Sequence, residues 1–145
     1  LGQPIDLKTL RYGKILFYVD ADVDGNSIAG SLLNFFYKYW PDMFDRRMIC
    51  KVETPIVVAE SKGKSKKDKL FFYTQTEYNE WASKANLKQF EIKYKKGLAA
   101  LVGDEYDDII NNPRLTLITK DDMAGDSLET WFGKSSSLRK DELLK

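Results

Sequence analysis

Asp20, Asp22 and Asp24 alternate along five residues and run into Gly25. Carboxylates this close repel one another. At a separation of ~4 Å and an effective dielectric of ~20 the cost is roughly 4 kcal/mol per pair. A hard divalent cation offsets that repulsion, and oxygen donors of this kind suit magnesium or calcium. Upstream stands the apolar, β-favouring run Ile15-Leu-Phe-Tyr-Val19. Downstream, Ile28, Leu32, Leu33, Phe36 and Tyr39 or Trp40 recur at helical spacing until Pro41 stops the pattern.

Two arrangements compete for the acidic residues. In the first they form a calcium loop. Asp20, Asp22, Asp24 and Gly25 take positions one, three, five and six of an EF-hand, and Ile28 takes position eight. Ser31 then stands where a bidentate Glu belongs, and no amphipathic helix precedes the loop. In the second, a strand buried on both faces ends in the carboxylates, and a helix returns over the sheet. Open α/β sheets place their ligands at such carboxyl ends. The flanking residues favour the second arrangement. A solvated acidic turn that binds nothing is a third reading, and it leaves the repulsion uncompensated.

Composition narrows the chemistry. With 145 residues and 43% hydrophobic content, the expectation is one compact domain with a core, or one with a short extension. There is no apolar run long enough for a membrane span and no basic-then-apolar leader in the sequence as given. The lone Cys50 excludes an internal disulfide and suits a reducing, intracellular setting; its plainest role is a small buried hydrophobe. The absence of histidine excludes Ser-His and Cys-His pairs, and with one cysteine it also excludes the usual zinc sites. Any catalysis must use carboxylates, Lys, Arg, Tyr, a bound metal or groups from elsewhere. A net charge of +1 gives no overall nucleic-acid signal.

The elements that must position the acidic cluster read as mixed α/β. Strands are expected over 48–52, 56–59, 70–73, 90–94 and 115–118, besides the one before Asp20. Helices are expected over 77–84, where Thr74 and Glu77 have capping-box spacing, and over 105–111, 121–132 and 138–144. The Lys-rich turn from Ser61 to Lys69 could meet phosphate, but a solvated hairpin tip is the simpler reading. Phe35, Phe36, Tyr37, Tyr39 and Trp40 could stack on bases, yet at helical spacing they read as core.

Taken together, the motifs carry a resemblance. Leu7-Lys-Thr-Leu-Arg-Tyr-Gly-Lys-Ile15 followed by Asp20-Ala-Asp-Val-Asp-Gly25 resembles the metal-binding half of the TOPRIM domain of type IIA DNA topoisomerases. Thr54-Pro-Ile-Val57, Phe72-Tyr73 with Glu77-Tyr-Asn-Glu-Trp81, Lys93-Tyr-Lys-Lys-Gly-Leu98 and Leu138-Arg139-Lys140 follow in the family's order. The pattern is nearest to the eukaryotic and large-phage branch. The resemblance implies a partial TOPRIM (Rossmann-like) domain over residues 1–120, with a central parallel sheet. A helical extension over 121–145 would lead toward the DNA cleavage core. It also implies a subunit of an ATP-dependent topoisomerase whose carboxylates hold Mg2+ at the scissile phosphate of double-stranded DNA. Asp20 and Asp22 would be direct ligands, and Asp24 a ligand through water or a support. Lys96, Arg139 and Lys140 would meet the DNA backbone. ATP would be bound by another domain or subunit. The expected partners are a subunit carrying the ATPase and the TOPRIM Glu, and one carrying the winged-helix tyrosine that attacks DNA.

The departures from the family pattern shape a further expectation. No Glu-Gly-Asp-Ser-Ala segment occurs, Asn26-Ser27 replaces Ser-His, Ala99 replaces the last glycine of Lys-Gly-Leu-Gly, and none of the eight tyrosines has a nucleophilic context. Magnesium prefers six oxygens, and two or three Asp make a weak site. The chain is therefore expected to be inactive alone, as a natural split subunit or a truncated piece. The competing readings are a non-catalytic Ca2+-binding module, or another TOPRIM enzyme such as a primase or an OLD-type nuclease.

Overall fold

The computed structural model describes residues 6, 8–63 and 68–145. Leu7 of the first motif and residues 64–67 of the Lys-rich turn lie outside the described residues. The chain builds two small three-stranded sheets with helices against them. The first sheet has the order β1 (Ile15–Tyr18), β2 (Ile49–Val52), β6 (Leu115–Leu117). β1 and β2 are parallel, with Ile15 opposite Ile49 and Tyr18 opposite Val52. β6 runs antiparallel to β2. The second sheet, β4 (Lys69–Phe72), β3 (Val57–Ser61), β5 (Phe90–Tyr94), is antiparallel throughout.

Parallel strands need a crossover of a dozen or more residues. Here α1 (Val23–Tyr39) and the short α2 (Asp42–Asp45) supply it between β1 and β2. After β2 the chain passes through Glu53-Thr54-Pro55-Ile56 directly into β3 of the second sheet. The parallel component is thus one strand pair, and β1 is an edge strand among the described residues.

Each face of the first sheet has its own core. On one face Phe17, Met43, Phe44, Met48 and Ile49 are buried, with Leu33, Phe36, Tyr37 and Trp40 packed on them. Phe36, Tyr37 and Trp40 are therefore packing residues, as their spacing predicts, whereas Phe35 is exposed and Tyr39 lies outside this cluster. On the other face Val52, Leu101 and Ile109 are buried beside Leu16, Leu98 and Tyr106, so α4 (Gly103–Asn111) closes that side. The second sheet packs Val57, Ala59 and Phe72 against Tyr78 and Trp81 of α3 (Gln75–Ala82). Fully burying one side chain of this size contributes about 1.5–3 kcal/mol.

α5 (Ala124–Phe132) lies on α1, where the Asn34 side-chain amide donates to the Phe132 carbonyl at 3.1 Å, and α6 (Ser136–Leu143) packs on α5. Among the described residues no helix is long and apolar enough to cross a membrane.

The expected capping box is present at α3. The Glu77 amide donates to Thr74 Oγ1 at 3.1 Å, and Glu77 Oε2 accepts from the amides of Thr74 (3.2 Å) and Tyr73 (2.9 Å). Thr74→Ala should lower stability by about 1 kcal/mol, visible as a lower denaturant midpoint with unchanged slope.

Candidate functional site

The acidic cluster sits where β1 hands over to α1. Asp22 is the N-cap of α1, and its Oδ1 accepts from the Gly25 amide at 2.7 Å. Asp24 lies exposed in the first helical turn, where the positive end of the helix dipole favours a carboxylate. This geometry overturns the calcium loop. A strand stands where an EF-hand needs a helix, and α1 begins at Val23, the fourth position of the supposed loop.

Asp20 lies between two glycines that are remote in sequence. A Cβ on Gly25 would stand 2.1 Å from the Asp20 carbonyl oxygen, a backbone atom with nowhere to move. A Cβ on Gly97 would stand 2.7 Å from Asp20 Cγ and Oδ1. Gly97 has an extended backbone with φ of 168°, so what glycine provides there is space. The next amide, that of Leu98, donates to Asp20 Oδ1 at 2.6 Å.

Asp20 and Asp22 each commit one carboxylate oxygen to a backbone amide and keep the other. Carboxylate oxygens are the donors that a hard cation takes, so the residues present fit magnesium in kind. Among the described residues no group of three acidic or thiol side chains is arranged to hold a metal, so the set falls short in number.

The expected DNA-contact residues fall in different places. Lys96 is exposed and adjoins Gly97, in the segment that touches Asp20. Arg139 belongs to α6 and is committed: its Nη1 donates to the carbonyls of Gly133 (2.9 Å) and Thr130 (3.5 Å), closing the C-terminal end of α5. Lys140, beside it, is exposed. Sequence reasoning did not single out Lys51, whose ammonium reaches from β2 to Asn26 Oδ1 at 3.0 Å in the first turn of α1.

It also missed a buried ionic network. Glu105, on α4, is 0% exposed. Its Oε2 meets Lys95 Nζ at 2.8 Å and accepts from the Val102 amide at 3.0 Å. Its Oε1 lies 3.5 Å from Lys69 Nζ, which also pairs with Asp104 at 2.7 Å. Lys95 Nζ donates in addition to the Ala100 carbonyl at 2.8 Å. The only sequence signal was an acid in the first turn of a helix, which is usually solvent-facing.

Burial pushes the Glu105 carboxyl up, but the Lys95 and Val102 hydrogen bonds and the Lys69 charge outweigh it and hold it below its ordinary 4.5. Such a group takes up its proton less readily folded than unfolded. Its contribution to stability is complete above about pH 4.5 and drains away as pH falls through the lowered value. Glu77, hydrogen-bonded by Arg114, and Asp104, hydrogen-bonded by Lys69, are held low too and add to the same slope. Denaturation midpoints measured from pH 6 downward should therefore fall on acidification, and less steeply in Glu105→Gln.

Comparison with known proteins shows what shares this arrangement. Residues 52–145 match the family described as the C-terminal associated domain of TOPRIM. The chain is 42% identical over 101 residues to a DNA topoisomerase-like protein, cin-4, of Caenorhabditis elegans, covering 69% of this chain and 12% of that protein. It is 34% identical over 133 residues to DNA topoisomerase 2 of Plasmodium falciparum, covering 89% of this chain and 9% of that protein. It is 41% identical over 100 residues to human DNA topoisomerase 2-alpha, covering 68% and 6%. The crystal structure of the Plasmodium falciparum topoisomerase II DNA-binding, cleavage and re-ligation domain superposes with a TM-score of 0.72 at 34% identity, covering 96% of this chain and 19% of that one. The chain spans about a tenth of the length of these curated relatives.

Proposed function

Since this chain belongs to the TOPRIM-associated region of the type IIA DNA topoisomerases, we propose that it supplies the carboxylates that hold Mg2+ at the scissile phosphate during double-strand cleavage and religation. The mixed α/β fold with small sheets is that of the topoisomerase region it matches. One observation carries the reading: Asp20 is held between Gly25 and Gly97 at the end of β1, with one oxygen fixed and the other free. A magnesium ion bound there would place positive charge against the phosphate and the leaving oxygen.

The chain's own part is to hold and orient. Asp20 and Asp22 lie between the end of β1 and the start of α1, and Asp24 lies in the first turn of α1. Lys96, beside the clasped carboxylate, offers an exposed ammonium to a DNA phosphate, as does Lys140 on α6. Arg139 orders the junction of α5 and α6, so its effect on DNA is to hold Lys140 in place. The catalytic Glu, the ATPase and the nucleophilic tyrosine come from outside these 145 residues, and with them the donors that complete the metal site.

The test is a plasmid assay on the enzyme carrying this stretch. With ATP and Mg2+ the linking number of supercoiled DNA should change, and EDTA should stop the change. An unchanged linking number in the presence of both would refute the proposal. Lys96→Ala should weaken DNA binding regardless of sequence and flatten the plot of log affinity against log salt by about one unit of slope.

A further inference from the structure

We infer that α4 is the positioning element for Asp20, acting through the 95–102 segment, with Glu105 and Tyr106 as its positioning residues. This rests on the reading of Asp20 as a metal ligand and goes beyond it, because nothing in that reading assigns a role to α4.

The path is a chain of contacts. The Lys95 amide donates to the Ile56 carbonyl at 2.8 Å, anchoring the start of the segment to the residue just before β3. Glu105 then holds both ends at once: its Oε2 takes the Lys95 ammonium on one side and the Val102 amide on the other. Between them the residues turn tightly. The Ala100 amide donates to the Gly97 carbonyl at 3.1 Å, the Leu101 amide to the Leu98 carbonyl at 3.0 Å, and Lys95 Nζ to the Ala100 carbonyl. The Tyr106 hydroxyl donates to the same Leu98 carbonyl. The Gly97 carbonyl, in the same peptide plane as the Leu98 amide, is held by Ala100, and Tyr106 holds the next peptide through the Leu98 carbonyl; the turn fixed in this way presents the Leu98 amide to Asp20 Oδ1.

The consequence is directional. Gly97 closes one side of the carboxylate, with no room for even a methyl group. The Leu98 amide occupies Oδ1, and Oδ2 is the oxygen left for a cation. Fixing the rotamer in advance removes an ordering cost that binding would otherwise carry. The partners that orient a metal ligand typically change affinity or activity by about 10- to 100-fold when removed.

The experiment compares Tyr106→Phe and Gly97→Ala with the parent in the whole enzyme. Mn2+ binding is followed by the loss of its free electron-paramagnetic signal, and DNA cleavage is titrated with Mg2+. The expected result in both variants is a Mn2+ affinity and a half-saturating Mg2+ concentration worse by about tenfold or more; in Tyr106→Phe, which leaves Asp20 and Gly97 in place, the cleavage rate at saturating Mg2+ stays within about twofold of the parent. A purely structural role would do the opposite, lowering the maximal rate through a smaller folded fraction without moving the half-saturating concentration. That result, or no change in either quantity, overturns the inference. If Gly97→Ala does not fold, Tyr106→Phe decides alone, since it removes only a hydroxyl. Asp20→Asn separates the two levels. Unchanged Mn2+ binding in Asp20→Asn means that Asp20 is not a ligand and the underlying reading fails. Weakened binding there with none in the two positioning variants means that only the role of α4 fails.

Discussion

Asp20→Ala in the enzyme that carries this stretch lowers the rate of DNA cleavage by about 10²- to 10³-fold, or about 2.7–4 kcal/mol of transition-state stabilisation. The expectation follows from how the residue is built in. Asp20 is the one member of the triad held from both sides, by a backbone contact at Gly25 and a carboxylate contact at Gly97. Asp22 spends part of its capacity capping α1, and Asp24 is exposed. Alanine also leaves the partly buried Leu98 amide without its acceptor, which costs about 1–3 kcal/mol of stability. Asp20→Asn separates the two effects. Its amide oxygen still accepts from Leu98, so the fold should keep its melting temperature, while the charge needed to hold a cation is gone. Cleavage is read as linear and nicked plasmid trapped by denaturant. A rate within about twofold of the parent in Asp20→Asn, far from the expected loss, would remove the carboxylate charge from the reaction.

Much of this site is legible in the amino-acid sequence because it is local. The apolar run before Asp20, the helical spacing after Gly25 and the Thr74/Glu77 box each lie within a few turns of chain, and each element formed within a few residues of its expected bounds. The calcium loop shared four positions with the strand-to-helix arrangement and was set apart from it by Ser31 at the twelfth position and by the flanking elements.

What escaped the sequence is long-range. The edge position of β1 depends on which strand returns beside β2, and that strand, β6, comes 63 residues after β2 ends. Arg139 was expected at the DNA backbone; its Nη1 also donates to a carbonyl at the end of the preceding helix, a partner its charge alone does not announce. Glu105 looked like an ordinary first-turn acid. Its burial follows from two lysines of the second sheet's region, Lys69 on β4 and Lys95 just past β5, meeting one face of α4.

That burial makes the second large effect calculable. Removing Glu105 alone strands Lys95, whose side chain is 5% exposed, with the Ala100 carbonyl as its remaining partner among the described residues. An uncompensated buried charge of this kind costs about 3–5 kcal/mol. Glu105→Ala should therefore lose a large part of the stability of the domain, read as a lower first transition in thermal unfolding. Replacing both partners with apolar side chains of similar volume, Glu105→Leu with Lys95→Met, removes the stranded charge and should recover most of the loss, because desolvating the pair offsets much of what its attraction supplies. The two substitutions together should thus be far less damaging than the sum of each alone, the mark of a coupled pair. Equal and additive losses would show that the lysine and the glutamate act independently. If the coupled result holds, the recovered protein still lacks the grip on both ends of the 95–102 segment. It should then be well folded and yet bind Mn2+ poorly, which separates the stability supplied by Glu105 from the position it gives to Asp20.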